Sequence, residues 1–501
     1  MRDYFMQFRK GIAGHDAKIK TPVHDEIPLV YADWTASGRI YEPIEERLKK
    51  YVYPHVANTH TDTNFTASKM TAAYERAAAI VKEHVGANAN DVLIWTGNGM
   101  TAAVNKLQRL LGWRLHEAWK KQLSIAEEDR PLVLITHMEH HSNHTSWLET
   151  IAEVMVVPPA EDGSVSIENF KKILEQHQHR KWKVAAITAC SNVTGIITPY
   201  MDIAALMHEA GGWCFVDFAC SAPYVTINMH EDDARGRYLD AIFFSPHKFL
   251  GGPGSAGVLV FNKRLYGNEV PDHPGGGTVT WTNPWGGRRY FSDVEVREDG
   301  GTPGFLQAMR AALAIRLKEE MGVENMWQRE KRLLGILWEG LEAIDGVHIL
   351  AKKHRHRLGI VSFYIEDLHH ILAVKMLNDY FGIQVRGGCS CAGTYGHYLL
   401  DVNKEQSKRI TDRIDQGDYS LKPGWVRFSL HPTHTEEEVE YMVKAVRELV
   451  QHHHSWKQHY FFDPVKGKVA HKQEPRQLHG ELAQLYAPFL LPETHKSVKI
   501  I

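Results

Sequence analysis

The 501-residue sequence has no uninterrupted apolar run near the roughly 20 residues a membrane span needs, and its first residues, M-R-D-Y-F-M-Q-F-R-K, lack the apolar core of a signal peptide. Charge of one sign is not in excess either. There are 58 Lys and Arg against 60 Asp and Glu, a net charge of -2, so no basic footprint argues for nucleic acid or an anionic membrane. Cysteine is scarce and odd in number, five in all, which suits a reducing compartment and thiols that are buried or reactive rather than a disulfide framework. No internal repeat and no low-complexity linker precedes the C-terminus. These absences leave a cytoplasmic globular protein as the expectation, and the length asks for two or three domains.

What is present is organised around A-I-F-F-S-P-H-K-F-L-G-G-P-G-S-A-G-V-L-V-F, residues 241 to 261. Two apolar runs flank a glycine-rich turn that displays Lys248. A lysine set after a buried strand is partly desolvated, which lowers the ammonium pKa and makes a neutral amine accessible for imine chemistry with an aldehyde. A lone loop lysine is ordinarily just solvated, so Lys248 has to be judged by its company.

From about residue 90 to 261, short apolar runs alternate with amphipathic stretches: D-V-L-I-W-T, P-L-V-L-I-T and K-V-A-A-I-T-A-C, each followed by a helical pattern, and then W-C-F-V-D-F. This is the pattern of a mainly parallel sheet covered on both faces, and such sheets bind ligands at the carboxyl ends of their strands. The polar residues of interest fall there. Asp217 closes a strand, where a carboxylate could keep a heteroaromatic nitrogen protonated, although a lone Asp there is more often a cap. The turn holding Gly99, Met100 and Thr101 opens a helix, where backbone N–H groups and a hydroxyl could hold phosphate. His140, in M-E-H-H-S-N, could stack on a flat ring or move protons, though most of the 31 histidines must be structural or exposed.

Residues 271 to 287 are too rich in Gly, Pro and Trp to be regular and read as a long functional loop. Helical patterns run from Gly304 to about Ile344. A smaller α+β unit follows, ending in a helix from Glu436 whose Thr435 and Glu438 have capping-box spacing. The expected organisation is an N-terminal segment 1–30, a large domain 31–300, a small C-terminal domain 301–452 and an extension 453–501. Histidine clusters at 354–356 and 452–454 read as solvated faces, and no ligand-spaced set predicts a metal.

In this order, M-E-H-H-S-N, S-N-V-T-G, V-D ahead of F-S-P-H-K, G-G-G-T, G-T-P, V-R-G-G-C-S-C-A and V-R-F-S-L resemble the class V branch of fold type I pyridoxal phosphate enzymes, and within it the cysteine desulfurase and selenocysteine lyase group, from about Tyr31 to Leu449. The resemblance implies an α/β fold type I enzyme that binds pyridoxal 5'-phosphate. It makes Lys248 the Schiff-base lysine, Asp217 the partner of the pyridine nitrogen, Asn192 a donor to the phenolic oxygen and His140 the stacking residue. Gly99, Met100, Thr101, Ser245 and His247 would hold the phosphate, with Thr278 arriving from a second subunit of a homodimer. Arg427 would clamp the substrate carboxylate.

Cys391, in register with the desulfurase nucleophile and on a Gly-flanked loop expected to be mobile, would take sulfur from L-cysteine as a persulfide for an acceptor protein. The alternatives are a selenocysteine lyase, an epimerase or aminotransferase of the same branch, a molybdenum cofactor sulfurase-like protein, or a non-catalytic cofactor-binding protein. Two departures stand out. Cys220 occupies a position where the group usually has glutamine, and Cys389 one where histidine is common; Cys389 reads as a resolving thiol or, in preference, a neutral small residue.

Overall fold

The computed structural model describes residues 1–473, 478–487 and 489. Seven strands form its main sheet: β1 (Asp91–Thr96), β2 (Leu132–Thr136), β3 (Glu153–Val157), β4 (Lys183–Thr188), β5 (Trp213–Asp217), β6 (Ala241–Phe244) and β7 (Gly257–Asn262). They lie in the order β1-β7-β6-β5-β4-β2-β3, and only β7 runs against its neighbours.

Each strand is apolar on both faces because both are covered. Leu93, Leu134, Ile187, Val216, Ile242 and Val260 enter one core with Phe170, Met207 and Ile315 from helices. Their neighbours Ile94, Ile135, Ala186, Phe215, Phe243 and Leu259 enter a second core with Val104, Leu107 and Trp147. Successive side chains therefore go to opposite layers, as the pleat requires.

Helices α1 (Phe65–His84), α2 (Met100–Leu110), α3 (His141–Leu148), α4 (Ile167–Gln176) and α5 (Tyr200–Glu209) follow in the first half of the chain. The continuous helical pattern expected from Gly304 to Ile344 is two helices, α6 (Phe305–Met321) and α7 (Val323–Glu342), because Gly322 takes a left-handed φ of 72° between them. Ala308 and Ala312 of α6 pack on Ala77 of α1, and Ala314 and Ile315 belong to the large-sheet core.

The 271–287 stretch is not wholly irregular. It contains β8 (Val279–Thr282), which pairs antiparallel with β9 (Arg288–Tyr290) just beyond it, and the turn between them leaves Trp285 88 % exposed. The base of this excursion is held to α2 by buried charge. Lys106 Nζ lies 2.6 Å from Glu298 and 3.2 Å from Asp272, Arg109 lies 2.8 Å from Asp272, and the Tyr266 hydroxyl donates to Glu298 at 2.7 Å.

The smaller sheet has the antiparallel order β10 (Val347–Ile349), β11 (Ile360–Ile365), β13 (Trp425–Ser429) and β12 (Arg386–Gly388). Its own core includes Phe363, Phe428, Leu372 and Met376, the last two from α8 (His370–Phe381). Helix α9 (Gly393–Leu399) follows β12, and α10 (Glu436–Trp456) begins with the expected Thr435/Glu438 capping box. The first helical turns of the chain tie into this unit, Arg9 donating to both oxygens of Glu438 at 2.9 and 2.7 Å.

The extension contributes a hairpin, β14 (Tyr460–Asp463) and β15 (Lys468–His471), while most of its A-P-F-L-L-P stretch lies outside the described residues. No helix among the described residues is long and apolar enough to cross a membrane.

Removing one partner of a buried ion pair strands the other charge without water. Lys106→Met is therefore expected to cost about 3 kcal/mol, read as a lower midpoint in urea unfolding. A shift within experimental error would show that the Glu298 network is not what fixes the hairpin base.

Candidate active site

The carboxyl ends of β1, β4, β5 and β6 open onto a cavity of about 680 Å³. It is lined by Gly99, Met100, Thr101, His140, Asn192, Asp217, Cys220, Ser245, His247, Lys248, Cys391 and Arg427. Every candidate residue from the sequence except Thr278 thus meets in one place. Thr278 is buried at the base of the β8–β9 hairpin, and its hydroxyl donates to Gly275 O at 2.7 Å.

Lys248 ends the short 3₁₀ turn Pro246–Lys248 that follows β6. The turn is held by close approach of a second segment. Gly38 N donates to His247 O at 2.9 Å, and a Cβ on Gly38 would lie 1.9 Å from Phe249 O. The Lys248 amine has no hydrogen bond or salt bridge among the described residues. Burial lowers its pKa, and the cations of Arg427 and Arg386 add to the effect, while Cys220 and Asp217 oppose it.

Asp217 is 2 % exposed at the end of β5, with Oδ1 accepting from Ala219 N at 2.8 Å. Burial pushes its carboxyl up to about 6, against the pull of the Ala219 N–H and of Lys248. His140 caps α3, its Nδ1 accepting from Ser142 N at 3.1 Å, and burial followed by the nearby Lys248 charge brings it down to about 3. It is a neutral imidazole.

One end of the cavity is built for an anion. Ser245 Oγ accepts from Met100 N at 2.8 Å, Thr101 and Ser142 hydroxyls meet at 2.7 Å, and His247 Nδ1 donates to Asn98 O at 2.7 Å, all at the N-terminus of α2. Asn105 and Arg109 join Thr101 in the lining. Their spacing of four places them on one helix face, a signal present in the sequence but not used there.

The opposite wall comes from the small sheet. Arg427 is 2 % exposed, and its guanidinium is already engaged: Nη2 donates to Asp33 at 2.6 Å and Nη1 to Asn192 O at 3.0 Å. Asp33, in Y-A-D-W-T near the start of the resemblance, is not legible in the sequence because nothing local marks a partner 394 residues away. Arg386 was missed too, although V-R-G-G was quoted. It lines the cavity, and its Nη2 donates to Cys391 Sγ at 3.9 Å.

Cys391 does not sit on a free loop as expected. Ser390 and Cys391 both take left-handed conformations, with φ of 51° and 58°. Their turn is pinned by His141 N to Cys391 O at 2.7 Å, Asn192 Nδ2 to Ser390 O at 2.7 Å, and Trp425 Nε1 to Ser390 Oγ at 3.2 Å. The Asn192 amide is thus directed at this turn, and the half-buried thiol is presented by a fixed backbone.

Cys220 lines the cavity but spends its S–H on Cys190 O at 2.9 Å. Cys389 packs beside Met138, Val193 and Trp425 rather than lining the cavity, as a neutral small residue would. Among the described residues no group of three or more His, Cys, Asp or Glu is placed to hold a metal ion.

Residues 30–442 match the aminotransferase class-V family. A probable cysteine desulfurase from Halalkalibacterium halodurans is 30% identical over 396 residues, spanning 75% of this chain and 88% of its own. One from Staphylococcus epidermidis is 30% identical over 369 residues, spanning 73% and 83%. Among solved structures, the apo cysteine desulfurase from Thermococcus onnurineus NA1 covers 89% of this chain and 98% of its own with a TM-score of 0.69 and 23% identity. An Escherichia coli cysteine desulfurase gives a TM-score of 0.68 at 22% identity over 89% of this chain and 98% of its own. The structural likenesses concern the fold.

An aspartate whose folded pKa is raised binds its proton more tightly when folded, so its ionisation lowers stability as pH rises from 3.8 through about 6. Without bound cofactor, Asp217→Asn should gain about 3 kcal/mol at pH 7.5, with the gain shrinking as pH falls from 6 toward 4. Urea unfolding at several pH values measures this, and a gain independent of pH would contradict the buried-charge account.

Proposed function

The chain belongs to the aminotransferase class-V family, and from that membership we propose that it is a pyridoxal phosphate-dependent cysteine desulfurase, taking L-cysteine to L-alanine and keeping the sulfur on Cys391 as a persulfide. The observation that carries this reading is a half-buried thiol sharing one cavity with the unpaired Lys248 amine, the buried Asp217 carboxylate and the Arg427 guanidinium.

The residues fit the cofactor. Hydroxyls of Thr101, Ser142 and Ser245 gather with His247 at a helix N-terminus where a phosphate would sit, and the Asp217 carboxylate closes the floor where a ring nitrogen would need it. When bound, pyridoxal phosphate supplies an aldehyde that captures amines and a ring that draws electron density from the substrate's α-carbon.

Lys248, with its pKa lowered by burial, would hold the aldehyde and, once released, take up the α-proton. Asp217 would keep a proton on the ring nitrogen. Neutral His140 offers a flat face toward the cavity. Arg427 would receive the substrate carboxylate, which must share the guanidinium with Asp33 or displace it.

Cys391, as thiolate, would attack the substrate's sulfur. A sulfur–sulfur bond forms, the carbon–sulfur bond breaks with its electron pair left on carbon, and a proton completes alanine. Turnover then needs a thiol acceptor, a reductant in the test tube or a sulfur-acceptor protein. A second copy of the chain would bring Thr278 to the phosphate end, for which its bond to Gly275 has to be shared or given up.

The test is alanine and sulfide release from L-cysteine with dithiothreitol. Cys391→Ala and Lys248→Ala should each lower the rate by at least about 100-fold, while Cys389→Ala keeps it. Full sulfide release by Cys391→Ala would overturn the persulfide step.

A further inference from the structure

The Cys391 turn is the direct continuation of β12, and β12 is packed without intervening side chains against His370 and Val374 of α8. A Cβ on Gly424 would lie 2.5 Å from His370 Cε1, and one on Gly387 would lie 2.8 Å from Val374 and 3.6 Å from His370 Cδ2. The imidazole therefore occupies the space that a side chain at Gly424, just ahead of β13, would take, and Val374 the space of one at Gly387 on β12. His370 in turn stacks on His369, ring centroids 4.3 Å apart and 26° from parallel. His369 meets Phe462 of the β14–β15 hairpin at 5.2 Å.

That hairpin lies outside residues 30–442 that match the family, and it is firmly seated on α8. Tyr380 stacks on Trp456 at 3.9 Å and meets His459 Nδ1 at 2.7 Å, the Tyr460 hydroxyl donates to Asp379 at 3.1 Å, and Tyr419 N donates to Val465 O at 2.7 Å. Both imidazoles are neutral. Burial brings His370 to about 4, helped by the neighbouring His369 and Lys422, and also lowers His369. His369 Nδ1 caps α8 by accepting from Ile371 N at 3.3 Å, while its Nε2 is buried with no hydrogen-bond partner and its face is given to His370 and Phe462.

We propose that the C-terminal hairpin is a buttress for the sulfur-accepting turn: Phe462, His369 and His370 form a column of ring contacts that braces β12 and so sets where Arg386 and Cys391 stand in the cavity. The proposal rests on the reading of Cys391 as the sulfur acceptor and makes His370 a positioning residue, with no contact to substrate. A nucleophile displaced by as little as 1 Å can lose orders of magnitude in rate, so the column acts on the chemical step and leaves cofactor binding alone.

The experiment uses the full chain loaded with pyridoxal phosphate and compares Phe462→Ala, His370→Ala and Gly424→Ala with the unaltered protein. Alkylation of Cys391 by iodoacetamide is followed by peptide mass mapping, alongside kcat and KM for L-cysteine and the visible absorbance of the cofactor. Expected are faster Cys391 alkylation, a kcat lowered by about tenfold, and unchanged cofactor absorbance.

Unchanged Cys391 alkylation in Phe462→Ala overturns the proposal. So does a loss of activity that arrives together with loss of cofactor absorbance, which marks general unfolding. Should His370→Ala not fold, Phe462→Ala and Gly424→Ala decide the matter. If the unaltered protein turns over no L-cysteine, the desulfurase reading fails, while the alkylation rates still decide the buttress.

Discussion

The site depends on one strand running the wrong way. β7 lies between β1 and β6 and is antiparallel to both, so the chain that leaves β6 through Lys248 must turn at the carboxyl end of the sheet and come straight back. In register, Val258 faces Phe244 and Gly257 faces Thr96. The lysine turn is therefore closed immediately against the turn that opens α2. A parallel seventh strand would need a crossover of a dozen or more residues and would carry Lys248 away from the anion end. The reversal also explains why β6 and β7 are apolar on both faces: they are interior strands, and a lysine at their junction is desolvated from below as well as from its sides.

Charge in the cavity is uneven. Lys248, Arg109, Arg386 and Arg427 line it, while Asp217 is its acidic floor and Asp33 is turned toward Arg427. Burial lowers the Lys248 and Arg427 pKa values and neighbouring arginines act in the same direction, while Cys220 opposes the shift in both, joined by Asp217 at Lys248 and Asp33 at Arg427. Such an arrangement is costly without an anion, since cations held together out of water repel. A phosphate at one end and a carboxylate at the other relieve it, which is the physical content of the fit to the cofactor and to an amino-acid substrate.

The large sheet was legible because its strands are short apolar runs between helical patterns, and because Asp217 and Lys248 end strands in that pattern. What the sequence did not reveal is long-range or backbone-borne. The Asp33–Arg427 pair joins opposite ends of the chain, and the pinning of Cys391 comes from His141, Asn192 and Trp425, none adjacent to it. Glycines beside a cysteine suggested mobility, yet here they allow packing against His370, a use that only the partner's position discloses. The break at Gly322 was in principle visible, since an isolated glycine in a long helical pattern marks a possible stop. The hairpin of β8 and β9 was hidden by the composition of its own turn.

The two walls of the cavity divide the chemistry. Lys248, Asp217, His140 and the hydroxyls at α2 stand on the large sheet and its helix termini, whereas Arg427, Arg386 and Cys391 stand on β13, β12 and the turn after them. Each wall rests on its own apolar core. On the proposed reading, one packing unit sets the cofactor geometry and the other the geometry of substrate carboxylate and sulfur acceptor. The contacts that cross between them, Asn192 to Ser390 and to Arg427 and His141 to Cys391, determine how far sulfur stands from the reacting carbon. A hairpin that braces only the small sheet can then alter sulfur transfer without touching the cofactor, because the wall it supports carries only the sulfur and carboxylate side of the reaction.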